Sequence, residues 1–344
     1  MIQDTIKKLI DRIDLSAEET EGAFGEIMDG TATPSQIGAF LVALRMKGET
    51  PEEITNAARV MRAKSIKIDV RENPDEIIID TCGTGGSLIP TFNISTTVAF
   101  VVAGCGIKVA KHGNRSASGR CGSADVLEAL GVNINLPPEK IAQVIKEIGI
   151  GFLFAPLYHP AMKFAAPTRR EIGIRTIFNL LGPISNPASP SVQLLGVPKP
   201  ELTEMIATVL KNLGTKGALV VYGLDGKDEI SITTKTRVTE LKNGRIKTYF
   251  VTPQKYGFKR YKIEDLKCKE IKDNVDILLK TLNGEKGPYR DVVLLNSAYA
   301  LYISKIKDIP TALKEAEDSI DSKRALDKLN KLIEYTKKPH NAIR

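Results

Sequence analysis

Ile77-Ile78-Ile79-Asp80-Thr81-Cys82 breaks into Gly83-Thr84-Gly85-Gly86, and Asn93-Ile94-Ser95-Thr96 then opens a second apolar run from Thr97 to Ala103. A β-branched strand, a glycine-rich turn and a helix start, in that order, restrict this chain more than any other segment does. With no Cβ in the way, backbone N–H groups in such a turn converge on an anion, and the helix dipole favours negative charge there. Phosphate binding is therefore the leading function of the segment. A glycine turn also serves as a plain connection between strand and helix, and this stretch alone does not separate the two.

The chain around it has 344 residues, enough for a sizeable core and two domains. A hydrophobic fraction of 42% and a charged fraction of 26% belong to an ordinary globular protein, which argues against disorder. No apolar run reaches the roughly 18 residues that a spanning helix needs, so no membrane association is expected. Met1-Ile2-Gln3-Asp4 begins a charged amphipathic stretch in place of the apolar core of a secretory signal. Cys82, Cys105, Cys121 and Cys268 lack metal-ligand spacing and suit reduced thiols in the cytoplasm. The formal charge of +8 admits nucleic acid, membrane surface or anionic small molecules as partners, but the lysines are spread along the chain and a solvated surface accounts for most of them.

Residues 1–65 read as helices. Ser16-Ala17-Glu18-Glu19, Thr33-Pro34-Ser35-Gln36 and Thr50-Pro51-Glu52-Glu53 fit capping boxes, the last two with proline at the first helical position. From Glu76 the pattern changes to strands (Glu76–Asp80, Ile107–Ala110, Phe152–Ala155, Gln193–Val197, Ala218–Tyr222) alternating with helices (Ser95–Cys105, Ser123–Leu130, Pro138–Ile148, Glu201–Leu213). Polar hairpin strands Thr236–Glu240 and Arg245–Phe250 follow, joined through Lys242-Asn243-Gly244, and a helical end begins at Ile271. The expected fold class is α/β: a small N-terminal helical domain plus a larger domain with a mostly parallel sheet flanked by helices. The expected domains are 1–73, joined by 160–187, and an α/β unit of 74–159 and 188–344.

Two further segments carry chemistry. Lys111-His112-Gly113-Asn114-Arg115-Ser116-Ala117-Ser118-Gly119 follows a strand and gathers cations, hydroxyls and glycines at the edge where α/β sheets bind ligands. Lysine supplies point charge and arginine a planar fork, so the loop suits a polyanion, although an exposed polar loop has the same composition. Gly226-Lys227-Asp228-Glu229-Ile230-Ser231 puts adjacent carboxylates beyond the strand Ala218–Tyr222. That arrangement suits Mg²⁺, which takes a few carboxylates and completes its shell with phosphate oxygens and water. A pair of acids at a turn is otherwise simply solvated. The three loops together predict a phosphate–Mg²⁺ substrate.

In these segments the chain resembles the anthranilate phosphoribosyltransferase family. The similarity extends to Gly122-Ser123-Ala124-Asp125-Val126-Leu127-Glu128, Tyr158-His159-Pro160-Ala161-Met162-Lys163, Arg175-Thr176-Ile177-Phe178-Asn179, Gly182-Pro183 and Asn296-Ser297-Ala298. It covers the sequence from about residue 5 to about residue 335, in matching order. The resemblance implies a glycosyltransferase of the nucleoside phosphorylase and phosphoribosyltransferase fold. Such an enzyme joins anthranilate to phosphoribosyl pyrophosphate in tryptophan biosynthesis and releases pyrophosphate. It also implies a need for Mg²⁺ and a homodimer formed through the helical domain. By resemblance, Gly83, Gly86, Ser87, Thr91, Asn93, Ile94, Ser95 and Thr96 hold phosphoribosyl pyrophosphate, as do Lys111, His112, Gly113, Asn114, Arg115, Ser116, Ala117, Ser118 and Gly119. Ser95, Asp228 and Glu229 reach the metal. Gly83, Asn114 and Arg169 contact anthranilate, with His112, Tyr158, His159 and Gly182 along its route, and His112 is a possible proton acceptor. Arg169, in a charged helical stretch, also suits a plain solvated position, and His159, before Pro160, also suits a helix start without a ligand.

Two other functions compete. A nucleoside phosphorylase of related architecture needs one phosphate cradle and no Mg²⁺ pair, so Ser95, Asp228 and Glu229 argue against it. A nucleic-acid binder would suit the basic charge, but Asn114, Arg169 and the acidic pair argue for retained catalysis, and no nucleic-acid partner is expected. No G-x-G-x-x-G follows a strand in the context a dinucleotide enzyme requires. One departure stands out: the family follows Gly-Thr-Gly-Gly with Asp-Gly, and this chain has Ser87-Leu88. The missing acid predicts weaker dependence on Mg²⁺, or less inhibition by it, than in the acid-bearing variant. A Mg²⁺ titration of activity in wild type, Ser87→Asp and Leu88→Gly checks this; superimposable profiles would discard it.

Overall fold

The computed structural model describes residues 1–85, 91–116, 121–268, 270–304 and 308–337. Four helices open the chain: α1 (Ile2–Ile10), α2 (Ala17–Met28), α3 (Pro34–Lys47) and α4 (Pro51–Ala63). The last three start at the expected capping boxes. The side chains of Ser16, Thr33 and Thr50 accept from the amides of Glu19, Gln36 and Glu53, whose side chains accept from the cap amides in return. Each box satisfies two N–H groups that a helix start otherwise leaves open.

The alternating part follows as β1 (Ile78–Gly83), α5 (Ile94–Gly104), β2 (Lys108–Gly113), α6 (Ser123–Ala129), α7 (Pro138–Ile148) and β3 (Ile150–Phe154). Next come α8 (Ala155–Tyr158), α9 (Met162–Ile172), α10 (Phe178–Ile184), β4 (Val192–Gly196), α11 (Leu202–Asn212) and β5 (Gly217–Gly223). The hairpin β6 (Thr236–Lys242) and β7 (Arg245–Val251) turns at Asn243 and Gly244, both with positive φ, as a two-residue hairpin requires. Helices α12 (Ile271–Leu282), α13 (Pro288–Ser304), α14 (Ile309–Asp321) and α15 (Arg324–Lys337) complete the chain.

The strands form one sheet in the order β3-β2-β1-β4-β5-β6-β7. The first five are parallel and β6 and β7 antiparallel. Strand order reverses between β1 and β4, where the connections leave in opposite directions and open a crevice at the carboxyl ends. The register there is Gly83 opposite Gly196.

Alternation along the strands divides the apolar side chains between two cores. Leu194, Leu219 and Val221 join α5, α7 and the C-terminal helices on one face. Leu195, Ala218 and Val220 join α1 to α4, α9, α10 and α11 on the other. Phe24 packs against Phe40 of α3 and Phe178 of α10, with ring centroids 5.6 and 5.7 Å away.

One boundary differs from expectation in a way that affects the site. The second strand was expected to end at Ala110, with Lys111 onward in a loop, but β2 continues through Gly113. Lys111, His112 and Gly113 pair with Phe152, Leu153 and Phe154 of β3. The neighbouring ladder holds these polar residues in strand geometry, so consecutive side chains point to opposite faces of the sheet.

Candidate active site

Glycines end four of the parallel strands: Gly83 of β1, Gly113 of β2, Gly196 of β4 and Gly223 of β5. At the switch point their role is close approach. A Cβ on Gly196 would overlap the Asp228 carbonyl oxygen, and one on Gly83 would come within 2.5 Å of the Asp228 carboxylate. The acidic loop therefore lies directly on the strand ends, which only glycine permits. Asn296 of α13 fixes it from behind, accepting from the Ile230 amide at 2.9 Å and donating to the Ile230 carbonyl at 2.8 Å.

Ser95, in the first turn of α5, lines the same cleft as Thr81, Asp228 and Glu229. Lys111 reaches this face from β2. Its Nζ donates to the Thr81 carbonyl at 2.5 Å and to Ser95 Oγ at 3.4 Å, and the Thr81 hydroxyl donates to the Ser95 carbonyl at 2.9 Å. Ser95 and Glu229 thus share one cleft, and Lys111 meets it through Ser95. Its electrostatics favour a cation near the acids. Burial pushes Asp228 above the usual carboxylate range, and burial together with the Asp228 charge pushes Glu229 up to about 8. Glu229 Oε2 is buried with no hydrogen-bond partner among the described residues. A divalent ion would relieve both conditions, so these residues fit Mg²⁺. Among the described residues no three His, Cys, Asp or Glu gather into a metal-holding group.

The other face of β2 presents His112. Its ring centroid lies 5.2 Å from that of His159, and both Nε2 atoms are buried without partners among the described residues. Burial, with the His159 charge second, lowers His112 to about 3, and burial lowers His159 to about 4. Gly182 in α10 lies beside this pair, with open space where its Cβ would stand. One turn earlier, the Phe178 ring carries the Arg169 guanidinium at 5.0 Å. Two neutral imidazoles, an aromatic ring and an arginine are groups that suit a small planar acid.

Known proteins match nearly the full length of the chain. A model of the glycosyl transferase family a/b domain matches residues 75–326, and one of the glycosyl transferase family helical bundle domain matches residues 3–65. An anthranilate phosphoribosyltransferase of Acetivibrio thermocellus is 52% identical over 337 residues, 98% of this chain and 97% of that protein. One from Methanobrevibacter smithii is 50% identical over 98% of this chain and 99% of its own. The chain belongs to the anthranilate phosphoribosyltransferase family. The crystal structure of the Thermus thermophilus member superposes with a TM-score of 0.91 at 39% identity, covering 97% of this chain and 100% of that one. The Saccharomyces cerevisiae member in complex with PRPP and Mg gives 0.87 at 27% identity, covering 97% of each chain.

The remaining residues implied by the family resemblance are distributed as follows. Gly86, Ser87, Ala117, Ser118 and Gly119 lie outside the described residues. Asn93 donates to the Cys121 carbonyl at 3.1 Å, which ties the start of α5 to the segment before α6. Asn114 accepts from the Arg115 amide at 2.7 Å and sits exposed at the end of β2. Arg115 turns its guanidinium to Asp125 at 3.0 Å and Glu128 at 2.8 Å. Thr96 lines a second cavity behind Lys111, Ile94 is buried in the core, and Thr91 bridges to Lys267. Tyr158 is buried with its hydroxyl unpartnered among the described residues. His159 ends α8 with its ring buried, and so does not begin a helix at the surface.

Several contributors had no role assigned from sequence. Asp80, fully buried, accepts from the His112 amide at 3.3 Å and from Asn186 Nδ2 at 2.9 Å. Burial raises it to about 6 against the opposing pull of Lys111. Its signal was an acid at the end of a run of isoleucines, which needs a buried partner. Arg175 donates to the Thr84 carbonyl at 3.3 Å across the crevice.

The depressed imidazoles have a consequence for stability. A histidine that stays neutral when folded but protonates when unfolded stabilises fully above its unfolded value near 6.5, and that stabilisation is lost as pH falls. For His159 the window runs from about 6.5 down to about 4. Urea unfolding of wild type and His159→Gln should therefore converge on acidification, wild type losing up to about 3 kcal/mol relative to the variant between pH 7 and 4. A difference independent of pH would contradict burial of a neutral ring.

Proposed function

We propose that the chain transfers the phosphoribosyl group of phosphoribosyl pyrophosphate to the amine of anthranilate, giving N-(5-phosphoribosyl)anthranilate and pyrophosphate, in tryptophan biosynthesis. The observation that carries this is the convergence of Ser95, Lys111 and the Asp228–Glu229 loop on the switch point, with the His112–His159 space on the opposite face of β2.

The bond from the anomeric carbon to pyrophosphate breaks as the amine nitrogen bonds to that carbon, and the nitrogen then gives up a proton. Negative charge accumulates on the departing diphosphate. Lys111, fixed by the Thr81 carbonyl, and the open amides of the first turn of α5 meet that charge without reorganising. Ser95, Asp228 and Glu229 would hold Mg²⁺, which would supply further charge neutralisation at the diphosphate. Arg169 pairs with the anthranilate carboxylate and turns the ortho amine towards the ribose. An aromatic amine is neutral at pH 7, so the reaction needs no strong base. His112 and His159, kept neutral by burial, suit the acceptance of a hydrogen bond from that amine.

The helical domain comprises residues 1–73 together with 160–187, and 74–159 with 188–344 form the α/β domain. The shared core of Phe24, Phe40 and Phe178 supports this division. Ile10 and Met46, 68% and 71% exposed on the helical domain, support homodimer formation through that surface. The four free cysteines suit a cytoplasmic enzyme, and among the described residues no helix is long and apolar enough to cross a membrane.

Anthranilate fluorescence tests the reaction. Consumption should require phosphoribosyl pyrophosphate and Mg²⁺ together, and consumption without either would refute it. Loss of one charged contact costs roughly 1.5–3 kcal/mol. Arg169→Ala should accordingly raise KM for anthranilate about tenfold or more; an unchanged KM would refute its role.

A further inference from the structure

Lys227 lies between Asp225 and the acidic pair, and no part of the reaction above uses it. Its side chain is 1% exposed, and its Nζ has no hydrogen-bond partner among the described residues. Asp225 Oδ1 and Glu229 Oε2 are in the same condition, so one short loop carries three buried charged atoms without partners. A folded protein keeps such groups only where something compensates them. The Lys227 backbone is anchored, its carbonyl accepting from the Gly223 amide at 2.8 Å, and Asn296 holds Ile230 on the far side of the acids. Lys227 thus adjoins Asp228 in the chain, and its side chain is buried in the same anchored loop as the carboxylates. Glu229, Asp225 and Asp228 are the charges that attract it, in that order, opposing the cost of its burial.

We propose that Lys227 is a tethered counter-cation for Asp228 and Glu229, which weakens their hold on free Mg²⁺ so that the metal is retained only together with the substrate's diphosphate. This rests on the assignment of Asp228 and Glu229 as metal-binding residues. With all three carboxylates ionised, as metal ligation requires, the loop carries a net charge of about −2 with Lys227 and about −3 without it. The difference of one unit, close to a divalent ion in a partly buried site, alters affinity at least about tenfold. A diphosphate restores the attraction by adding its own charged oxygens to the metal's shell. Lys227 is thus a positioning residue that acts through the acids and makes metal capture conditional on substrate.

The test is calorimetric titration of MgCl₂ into the full chain, with and without phosphoribosyl pyrophosphate, beside the Mg²⁺-induced shift of Tm. Lys227→Met and Lys227→Gln should bind free Mg²⁺ at least about tenfold more tightly than wild type. Lys227→Arg should behave as wild type, and the differences should shrink once phosphoribosyl pyrophosphate is present. Removal of the ammonium leaves the acids uncompensated, so the neutral variants should lose Tm without Mg²⁺ and regain it when Mg²⁺ is added, which separates the effect from loss of folding. If phosphoribosyl pyrophosphate promotes Mg²⁺ binding in wild type, and either folded neutral variant binds free Mg²⁺ only as tightly as wild type does, the counter-cation role is overturned. If phosphoribosyl pyrophosphate promotes no Mg²⁺ binding in wild type, the metal assignment of Asp228 and Glu229 fails, and the inference with it.

Discussion

The site depends on how closely the Asp228 backbone lies to the α-carbon of Gly196. Any side chain there would overlap the Asp228 carbonyl, and one on the facing Gly83 would crowd its carboxylate. The contact sets two acids on the carboxyl edge of the sheet at its switch point. From there Glu229 shares a cleft with Ser95, and Ser95 meets Lys111. Loss of this approach would separate the acids from the phosphate-binding face, although the sheet beneath would still have its hydrophobic cores.

A second constraint is the extension of β2. Because Lys111 and His112 are neighbours in a strand, one side chain turns to Thr81 and Ser95 and the other to His159 on the opposite face. The buried Asp80 lies at their base, receiving the His112 amide and attracting the Lys111 ammonium. On the proposed reading, a charged donor for the diphosphate and a neutral acceptor for the amine are thus held in fixed relation by one strand. The mechanism relies on orientation and preorganised charge more than on a strong base, and the low value of His112 is consistent with that.

The sequence showed most where the determinants are local. Capping boxes at Ser16, Thr33 and Thr50 are short-range patterns, and all three form. The strand and helix alternation came through because each element carries its own periodicity, and the Asn243-Gly244 turn because both residues accept positive φ. Determinants remote in sequence were harder to see. Lys111 to Gly113 resemble a polar loop until β3 supplies a ladder partner, and Asn186 reaches Asp80 from 106 residues away. Gly83 and Gly196 carry no mark of their pairing, since the reason for two glycines exists only once β1 and β4 lie side by side. Lys227 was visible as a residue of the acidic loop, but its burial exists only in the folded loop, which Asn296 of α13 holds at Ile230.

The most direct measurement is the calorimetric affinity of Gly196→Ala for phosphoribosyl pyrophosphate in the presence of Mg²⁺. Gly25→Ala, where a Cβ meets nothing within 4 Å, serves as the control. The account predicts that Gly196→Ala stays folded by circular dichroism and loses at least about tenfold in affinity, roughly 1.4 kcal/mol, while the control binds as wild type. Wild-type affinity in folded Gly196→Ala would show that the acidic loop does not need to lie on the strand end, and would contradict the account.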